Sequence, residues 1–360
     1  MKKIRSVIEK ETTPSCFFRS AVESPYRKAL IRITDACNAH CVHCFISANN
    51  RGQSMTLNDF RRFVLPRLQE IRVSRVTLTG GEPFIHPNLI EMVQLLADAN
   101  ISTGICTNAT LITDEQINAL ADINNVHINV SLHGFTSKSH DRFMGEKGAF
   151  EKCKIAIKLL SDYGLLQGLL VTPNCLTELD EYAKLCEFAI RNKAKYVLMN
   201  PLSPMGRGFV NVTKYAASES MLRSIKEITH KYVNKIQIVY IRFPNDNLPL
   251  GSCEAGNILY VFVNGNVSVC AYLDFAANTP ISLYDPEDFI IGNLFTDTDF
   301  VKKMDSYSFH KKYQVGNNDQ CKQCDQNKIC GKGCPSAIIC KGKKIGDVDS
   351  EICPNVRKMR

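Results

Sequence analysis

The sequence predicts an α/β fold built on a parallel sheet, followed by a small cysteine-rich region. Between residues 29 and 200, six apolar runs of strand length alternate with segments whose apolar residues recur at helical spacing. Beyond residue 245 the runs become short and cysteines become frequent. Six βα units in succession imply parallel strands joined by right-handed crossovers, in either a doubly wound sheet or a partial barrel.

The predicted strands are Ala29–Thr34, Arg75–Thr79, Ser102–Thr107, Val126–Ser131, Leu165–Val171 and Tyr196–Asn200. The predicted helices between them are Thr56–Glu70, Asn88–Asn100, Thr113–Asp122, Ala149–Tyr163 and Leu176–Asn192. Pro66 is expected to kink the first helix, because proline lacks an N–H and clashes with the preceding turn. Another amphipathic helix, Met221–Lys235, precedes the apolar run Ile236–Phe243.

The chain divides most naturally near residue 245, where prolines and asparagines interrupt the pattern. With 360 residues, 44% of them hydrophobic, it is long enough for one large domain and one smaller one. The predicted parts are an N-terminal extension, a parallel α/β domain and a cysteine-rich domain, spanning 1–28, 29–244 and 245–360.

Composition predicts a cytoplasmic protein with no membrane span. No apolar run approaches the roughly 18 residues of a membrane helix, and Met1–Lys10 lacks the apolar core of a signal peptide. Sixteen cysteines in such a chain favour metal or cluster binding over disulfides. The net charge of +8 is not gathered into a basic tail, which argues against a nucleic-acid partner.

Three cysteines follow the first predicted strand. Cys37, Cys41 and Cys44 form a Cx3Cx2C loop, and three thiolates on one short loop can hold three irons of a cubane cluster. The fourth iron is then left open, whereas a structural zinc or cluster normally has four protein ligands. A zinc knuckle that recruits His40 or His43 is the alternative.

This spacing resembles the radical S-adenosylmethionine (SAM) superfamily, in which the triad leaves one iron for the amino and carboxylate groups of SAM. Gly80-Gly81-Glu82-Pro83, after the second strand, resembles the GGEP motif of that superfamily, whose backbone and acidic residue receive the SAM ammonium group. Glycines let the backbone approach closely, and a cationic amine needs such acceptors. The resemblance implies a partial (β/α)6 barrel with the cofactor at the carboxyl ends of its strands.

Residues at the ends of later strands extend the resemblance. In similar enzymes a serine ending the fourth strand and an arginine a little beyond contact the ribose and the methionine carboxylate, which implies Ser131 and Arg142 as SAM ligands. Without this resemblance, Ser131 would be interpreted as an ordinary hydroxyl at a strand end and Arg142 as a solvated charge on a helix. Asn108 is expected to polarise the ribose or to cap the next helix. His133 and His140 are predicted to be structural or substrate-facing.

Seven C-terminal cysteines follow the pattern CxnGx4C, gap, Cx2Cx5Cx3C, gap, C. The pattern resembles the SPASM domain, a module of radical SAM enzymes that carries two auxiliary [4Fe–4S] clusters. By position, the resemblance implies a first cluster on Cys253, Cys270 and Cys334, and a second on Cys321, Cys324, Cys330 and Cys353. A pair of zinc ribbons is the alternative, since Cx2C hairpins bind zinc as readily as iron.

The first auxiliary set has three members where four are expected. No cysteine lies between Cys253 and Cys270, where sulfatase-maturing relatives have one, and Ala271 replaces their aspartate. This cluster is therefore expected to have an open iron or to recruit Cys340. An open iron is favoured, because closure by Cys340 needs a loop reversal within 335–339. The remaining cysteines have no ligand spacing and are predicted to be buried small residues: Cys16, Cys106, Cys153, Cys175 and Cys186.

The resemblances cover residues 28 to 354 and imply a radical SAM/SPASM enzyme with SAM and three [4Fe–4S] clusters. Such enzymes cleave SAM reductively to methionine and a 5′-deoxyadenosyl radical, which abstracts hydrogen from a substrate C–H bond. The expected electron donor is a flavodoxin or a ferredoxin. Clusters held by three, three and four thiolates would bring the net charge to about +4.

The preferred substrate is a ribosomally made peptide, because many similar SPASM proteins modify such peptides. About 28 residues precede the first strand, so a leader peptide would need a separate binding protein. The alternative enzyme acts on a small molecule, by tetrapyrrole side-chain modification or sugar dehydrogenation. The non-enzymatic alternative is an iron–sulfur electron carrier or scaffold, which would need neither the GGEP stretch nor Arg142.

Overall fold

A single ten-stranded sheet organises the protein, as seen in a computed structural model that describes residues 12–17 and 22–357. The order across the sheet is β10-β9-β8-β1-β2-β3-β4-β5-β6-β7. The strands are β1 Arg27–Thr34, β2 Val73–Gly80, β3 Ser102–Thr107, β4 Val126–Ser131, β5 Leu166–Val171, β6 Tyr196–Met199, β7 Gln237–Tyr240, β8 Ile258–Val261, β9 Asn266–Ser268 and β10 Ile290–Asn293. The segment Met1–Lys10, interpreted above as lacking a signal peptide, lies outside the described residues.

Helices connect β1 to β7, which all run parallel in chain order. In this part they are Leu57–Asp59, Phe60–Val64 and Leu65–Glu70 in continuous succession, then Leu89–Asp98, Asp114–Ala121, Ser137–Met144, Ala149–Asp162, Leu179–Arg191, Arg207–Tyr215 and Glu219–His230. Short helices follow, at Ala271–Ala277, Phe300–Ser306, Phe309–Lys312, Asp319–Lys322, Pro335–Ile339 and Pro354–Arg357. Two 3-10 turns are Pro83–Ile85 and Pro286–Phe289.

The structure confirms the six predicted strands and the six predicted helices, with ends shifted by up to a few residues. The disturbance expected at Pro66 takes the form of a π-helical segment, Phe60–Val64, after which the α-helix resumes with proline in its first turn. Ser137–Met144 and Arg207–Tyr215 were not predicted. In Arg207–Tyr215 only Gly208 is buried, so burial of an apolar face contributes little to holding this helix in place.

The two faces of the parallel sheet have different surroundings. On one face, fully buried side chains such as Ala29, Ile31 and Ile33 of β1 join a core shared with the flanking helices. On the other face, residues from β1 to β6 line a cavity of about 290 Å³. The sheet is therefore curved around this cavity, which the carboxyl ends of the strands approach.

The cysteine-rich region continues the sheet, because β8 pairs in parallel with β1. Strands β9 and β10 then add antiparallel pairs. The division into 1–28, 29–244 and 245–360 stays a prediction, since one sheet crosses residue 245.

Within residues 12–17 and 22–357, no helix combines the length and apolar character needed to cross a bilayer.

Candidate active site and cysteine clusters

The three-cysteine loop follows β1 and is fixed by hydrogen bonds along its backbone. Cys37 donates its N–H to the carbonyl of Asn49 at 2.8 Å. Arg207 donates from Nε to the carbonyl of Cys41 at 2.9 Å and from Nη1 to that of Ala48 at 2.6 Å. The unpredicted helix that begins at Arg207 therefore braces the loop from the outside.

The thiols of this loop lie close enough to influence one another. Cys37 is buried, and Cys41 and Cys44 are half-buried. Burial raises the pKa of Cys37 to about 11, and burial together with the neighbouring thiols of Cys44 and Cys37 raises the pKa of Cys41 well above its ordinary value. The thiols of Cys37 and Cys41 are thus protonated near neutral pH, and a metal that binds them must displace their protons.

The GGEP turn packs directly against the cysteine loop. Gly81 donates its N–H to the carbonyl of Thr34 at 2.8 Å, and Glu82 donates to that of Ala36 at 2.9 Å. A Cβ on Gly80, whose φ is +151°, would stand 2.2 Å from the Thr34 oxygen, and one on Gly81 would stand 2.1 Å from the Ala36 oxygen. Only glycine fits at either position, which explains the Gly-Gly pair.

Glu82 is completely buried and joins the ends of β2 and β3. Its carboxylate accepts hydrogen bonds from the Thr107 hydroxyl at 2.6 Å, the Asn108 N–H at 2.7 Å and the Phe84 N–H at 3.1 Å. Burial raises its pKa to about 7. Pro83, also buried, opens the 3-10 turn that follows. The Glu82 side chain holds the site together, and its contact with a SAM ammonium group stays a prediction.

Asn108 connects the end of β3 to the cysteine loop. Its Oδ1 accepts from the Thr110 N–H at 2.9 Å and hydroxyl at 2.6 Å, while its Nδ2 donates to Asn38 of the loop at 3.0 Å. The next helix is capped instead by Thr113, which accepts from the Gln116 N–H. The expectation that Asn108 caps this helix is therefore wrong, and contact with a ribose stays a prediction.

The cavity on the concave face collects polar side chains from several strands. They include Lys28, Thr77, Cys106, Asn129, Ser131 and Tyr196. Ser131 is among them, and its contact with the ribose of SAM stays a prediction. Arg142 is exposed on the Ser137–Met144 helix and is not among the residues lining the cavity, so its contact with SAM stays a prediction without support from this geometry.

Two buried histidines, His133 and His140, lie beside the half-buried His43 of the cysteine loop. The His133 ring accepts from the Thr172 N–H at 3.0 Å, and the His140 ring accepts from the His133 N–H at 3.1 Å. Burial lowers the pKa of His43 to about 3 and that of His140 to about 4, so these rings are neutral at physiological pH. His133 and His140 serve as backbone acceptors and His133 also lines the cavity, so the expectation that they are structural or substrate-facing stays a prediction.

The first auxiliary cysteine set is joined by a residue that spacing did not indicate. Cys253, Cys270 and Cys334 line one small space of about 10 Å³, and Cys16 lines it with them. The thiol of Cys16 is in hydrogen-bond contact with those of Cys253 and Cys334. Cys340 does not line this space.

The structure brings the four cysteines of the second auxiliary set together, and their binding of a cluster stays a prediction. Cys321, Cys324, Cys330 and Cys353 are half-buried and together line a cavity of about 460 Å³. Asn355 Nδ2 donates to the Cys324 sulfur at 3.0 Å. This group is therefore larger in volume and closer to solvent than the first.

The arrangement of the thiols bears on which metal they suit. In the part of the chain that the structure describes, no three His, Cys, Asp or Glu side chains converge as ligands of one metal ion. A zinc ion needs its four ligands around a single point, whereas each iron of a cubane takes one thiolate and the four sulfurs surround a larger volume. The volume of about 460 Å³ lined by the second auxiliary set suits a cluster better than a single zinc ion.

The cysteines without ligand spacing have different environments. Cys153 and Cys186 are fully buried, as predicted, and Cys106 is half-buried at the cavity. Cys175 is exposed, so its prediction as a buried residue is wrong. It follows β5, in the connection before the Leu179–Arg191 helix, where its sulfur contacts the Lys214 carbonyl at 3.2 Å.

The structure also reveals polar residues that sequence analysis missed. Arg242 and Asp349 form a buried ion pair, each 2% exposed at the side chain, with Nη1 and Oδ2 2.7 Å apart. Glu181 is buried and accepts from the Ser139 hydroxyl at 2.6 Å. Neither these residues nor Arg207 belong to a recognisable motif, because each acts on a segment distant in the chain.

A curved parallel sheet with a three-cysteine loop at the carboxyl end of its first strand defines a barrel-type protein able to hold an iron–sulfur cluster. Residues 31–189 match the family described as the Radical SAM superfamily. These residues are a radical SAM domain, as the sequence predicted, and the protein is a radical SAM enzyme. The cofactors that follow from the superfamily are SAM and one [4Fe–4S] cluster.

Relatives and solved structures extend the similarity beyond this domain. The subtilosin biosynthesis protein AlbA of Bacillus subtilis is 26% identical over 330 residues, which cover 89% of this chain and 68% of AlbA. The mycofactocin maturase MftC of Mycolicibacterium smegmatis is 24% identical over 89% of this chain and 80% of its own. Streptococcus suis SuiB superposes with a TM-score of 0.69 at 19% identity, covering 98% of this chain and 81% of SuiB. The predicted α/β partial-barrel fold is confirmed.

Proposed function

We propose that this enzyme is a radical SAM/SPASM enzyme that modifies a ribosomally synthesised peptide. The observation that carries the chemistry is the contact of the Gly80–Pro83 turn with the chain just before Cys37, where Gly81 and Glu82 donate their N–H groups to the Thr34 and Ala36 carbonyls. Support for a peptide substrate comes from relatives named for subtilosin biosynthesis and mycofactocin maturation, and from a SuiB structure bound to the precursor peptide SuiA.

The residues fit the cofactors that this function needs. Cys37, Cys41 and Cys44 would hold the catalytic cluster, and the SAM contacts are proposed at Gly80, Gly81, Glu82, Pro83, Asn108, Ser131 and Arg142. When bound, the reduced cluster and SAM supply an adenosyl radical able to remove hydrogen from an unactivated C–H bond. No protein side chain could perform that chemistry unaided.

The chain contributes position and the exclusion of water. Glu82 and Asn108 lock the turn, β3 and the cysteine loop into one unit. Arg207 holds the outer side of the loop through two backbone carbonyls. A site fixed in this way holds a reactive species and its target at the correct distance and orientation. Such positioning can lower the activation barrier by a large amount.

Further proposals concern the cysteine-rich region and the partners. Two auxiliary clusters are proposed, the first on Cys253, Cys270 and Cys334, and the second on Cys321, Cys324, Cys330 and Cys353. These clusters would accept an electron from the substrate radical or bind a substrate group. A flavodoxin or ferredoxin as electron donor, a separate leader-binding protein and a cytoplasmic location complete the proposal.

The decisive experiment for function is mass spectrometry of candidate precursor peptides, encoded near this gene, after incubation with reconstituted enzyme, reductant and SAM. We expect 5′-deoxyadenosine together with a peptide altered in mass at a specific residue. The matched control replaces Cys37, Cys41 and Cys44 with Ala and should give neither product. Formation of 5′-deoxyadenosine with no peptide changed would favour a small-molecule substrate, and no SAM cleavage at all would favour a carrier or scaffold.

The proposed Arg142 contact has its own test. If Arg142 pairs with the SAM carboxylate, Arg142→Ala weakens SAM binding by about 1.5–3 kcal/mol, the scale of a hydrogen bond to a charged group. Equilibrium binding of SAM to the reconstituted protein measures this. An unchanged affinity would leave Arg142 as a solvated residue, in keeping with its exposure.

A further inference from the structure

We propose that Cys16 is the fourth protein ligand of the first auxiliary cluster, so that this cluster has no open iron. The inference rests on the proposed auxiliary clusters and adds a ligand that the cysteine pattern does not contain. It also reverses the expectation of an open iron or of closure by Cys340.

The position of the Cys16 thiol is the first observation. It is in hydrogen-bond contact with the thiols of Cys253 and Cys334. It also lies 3.4 Å from the carbonyl of Ser252 and 3.5 Å from that of Gly333, the residues that precede these two cysteines. Cys270 lines the same small space, so four cysteines border it where the resemblance supplies three ligands.

The backbone around Cys16 is firmly placed. Thr13 donates its N–H to the Pro249 carbonyl at 2.9 Å and accepts from the Gly251 N–H at 3.0 Å. The Ser15 hydroxyl donates to the Gly251 carbonyl at 2.9 Å. Residues 13–16 thus run alongside residues 249–252, and the cysteine at the end of one segment meets the cysteine after the other.

A buried ion pair joins this segment to the rest of the proposed ligand set. Arg242 donates its N–H to the Pro14 carbonyl at 2.8 Å, and its Nη1 donates to the Ser15 carbonyl at 2.9 Å. Its partner Asp349 accepts from the Cys334 N–H at 3.1 Å. One ion pair therefore positions the chain on both sides of the thiol group, as a preorganised metal site requires.

Cys340, the alternative fourth ligand, lies in a different environment from Cys16. Residues Pro335–Ile339 form a short, fully buried helix, so the loop reversal that Cys340 would need is absent there. Cys340 caps this helix, with its N–H bonded to the Ser336 carbonyl at 3.0 Å. Moving its thiol to the group would require this helix to unwind, whereas Cys16 is already in contact.

Binding of a cluster by these four cysteines releases protons but transfers no electrons. The four cysteines line a space of only about 10 Å³, so their sulfurs must move apart to admit the irons. Each thiol then releases its proton as its iron–sulfur bond forms, and no electron is transferred in that step. A cluster with four thiolates can relay electrons, but it offers no iron for a substrate group.

The test begins from a variant in which Cys37, Cys41 and Cys44 are Ala, so that only auxiliary clusters are loaded, with about eight irons expected. Cys16→Ala, Cys16→Ser and Cys340→Ala are then compared in iron and sulfide content and in the electron paramagnetic resonance spectrum of the reduced protein. We expect both Cys16 variants to lose the first cluster or shift its signal, and Cys340→Ala to match its parent. Added 2-mercaptoethanol should restore the signal in Cys16→Ala, because an external thiolate can take the vacated iron.

Circular dichroism shows whether each variant is folded, and Cys16→Ser keeps the size of the side chain if the Ala variant does not fold. Unchanged iron and spectra in both Cys16 variants would overturn the proposal and restore the open iron. A cluster lost in Cys340→Ala but retained in the Cys16 variants would make Cys340 the ligand. Separately, if replacing Cys253, Cys270 and Cys334 with Ala removes no iron, the proposed auxiliary cluster itself is wrong.

Discussion

The two auxiliary cysteine groups differ in how far apart their members lie in the sequence and in how open the space between them is. The closed group, Cys16, Cys253, Cys270 and Cys334, is brought together from distant segments around a minimal space. The open group, Cys321, Cys324, Cys330 and Cys353, comes from one stretch of 33 residues and lines a cavity of about 460 Å³. The four cysteines that are close together in the sequence therefore line the open cavity, whereas the four that come from distant segments line the small buried space.

This difference indicates separate duties for the proposed clusters. A cluster deep in protein is shielded from solvent, and its potential is set by fixed dipoles and charges. A cluster beside an open cavity can be reached by small molecules or by an electron donor. We infer that the closed group acts as an internal relay and that the open group faces partners, and four measurements would break or sharpen this distinction.

The largest effect is expected from the ion pair behind the closed group. Arg242→Ala leaves the Asp349 carboxylate buried and unpaired, so the free energy of unfolding should fall by about 3–5 kcal/mol. Denaturant titration of the reconstituted protein measures this. The control is Arg223→Ala, whose pair with Asp246 is 44% and 53% exposed and should contribute only about 0–1 kcal/mol. Similar small losses in both would show that the closed group does not depend on its ion pair.

A smaller effect should follow from Gly333, which precedes Cys334 at a φ of +84°. A Cβ there would lie 2.5 Å from the Asp349 Oδ2, so Gly333→Ala should destabilise the protein by about 2–4 kcal/mol through strain and overpacking. Gly148 has a similar φ of +80° but nothing within 4 Å, and Gly148→Ala should cost only about 1 kcal/mol. Thermal unfolding compares them. Equal costs would mean that the closed group tolerates displacement.

Exposure should also govern the loss of iron. Under an iron chelator with mild oxidation, the open group should release its iron several-fold faster than the closed group, because solvent reaches its sulfurs. Starting from the variant in which Cys37, Cys41 and Cys44 are Ala, replacing Cys253, Cys270 and Cys334 with Ala leaves only the open cluster, and replacing Cys321, Cys324, Cys330 and Cys353 with Ala leaves only the closed one. Decay of the visible absorbance of each variant gives the rate. Faster decay of the closed cluster would reverse the assignment of roles.

The smallest effect concerns one hydrogen bond in the open group. Asn355 donates to the Cys324 sulfur at 3.0 Å, and such bonds favour the more negative, reduced cluster. Asn355→Ala should therefore lower the potential of that cluster by on the order of 50 mV, less than a full charge-assisted hydrogen bond would give. Redox titration followed by electron paramagnetic resonance resolves both clusters. The closed cluster is the internal control and should not shift.

Local patterns in the sequence determined much of this protein. The first six strands and the principal helices follow from the spacing of apolar residues, and the order of these strands follows because βα units in succession build parallel neighbours. The cysteine loop and the Gly80-Gly81 turn are likewise readable, since their partners lie within a few residues or at the next strand end. The members of the open group were implied by the resemblance that their spacing carries, and the structure places all four around one cavity.

Only the tertiary structure decided how these parts are completed. Cys16 and Gly333 are 317 residues apart in the chain yet 3.5 Å apart in space, and nothing local to Cys16 indicates a partner. The brace from Arg207 and the contact of Asn108 with Asn38 likewise join segments that spacing cannot relate. Hydrogen bonds and ion pairs depend on atoms meeting within about 3 Å, and folding alone brings distant residues to that distance.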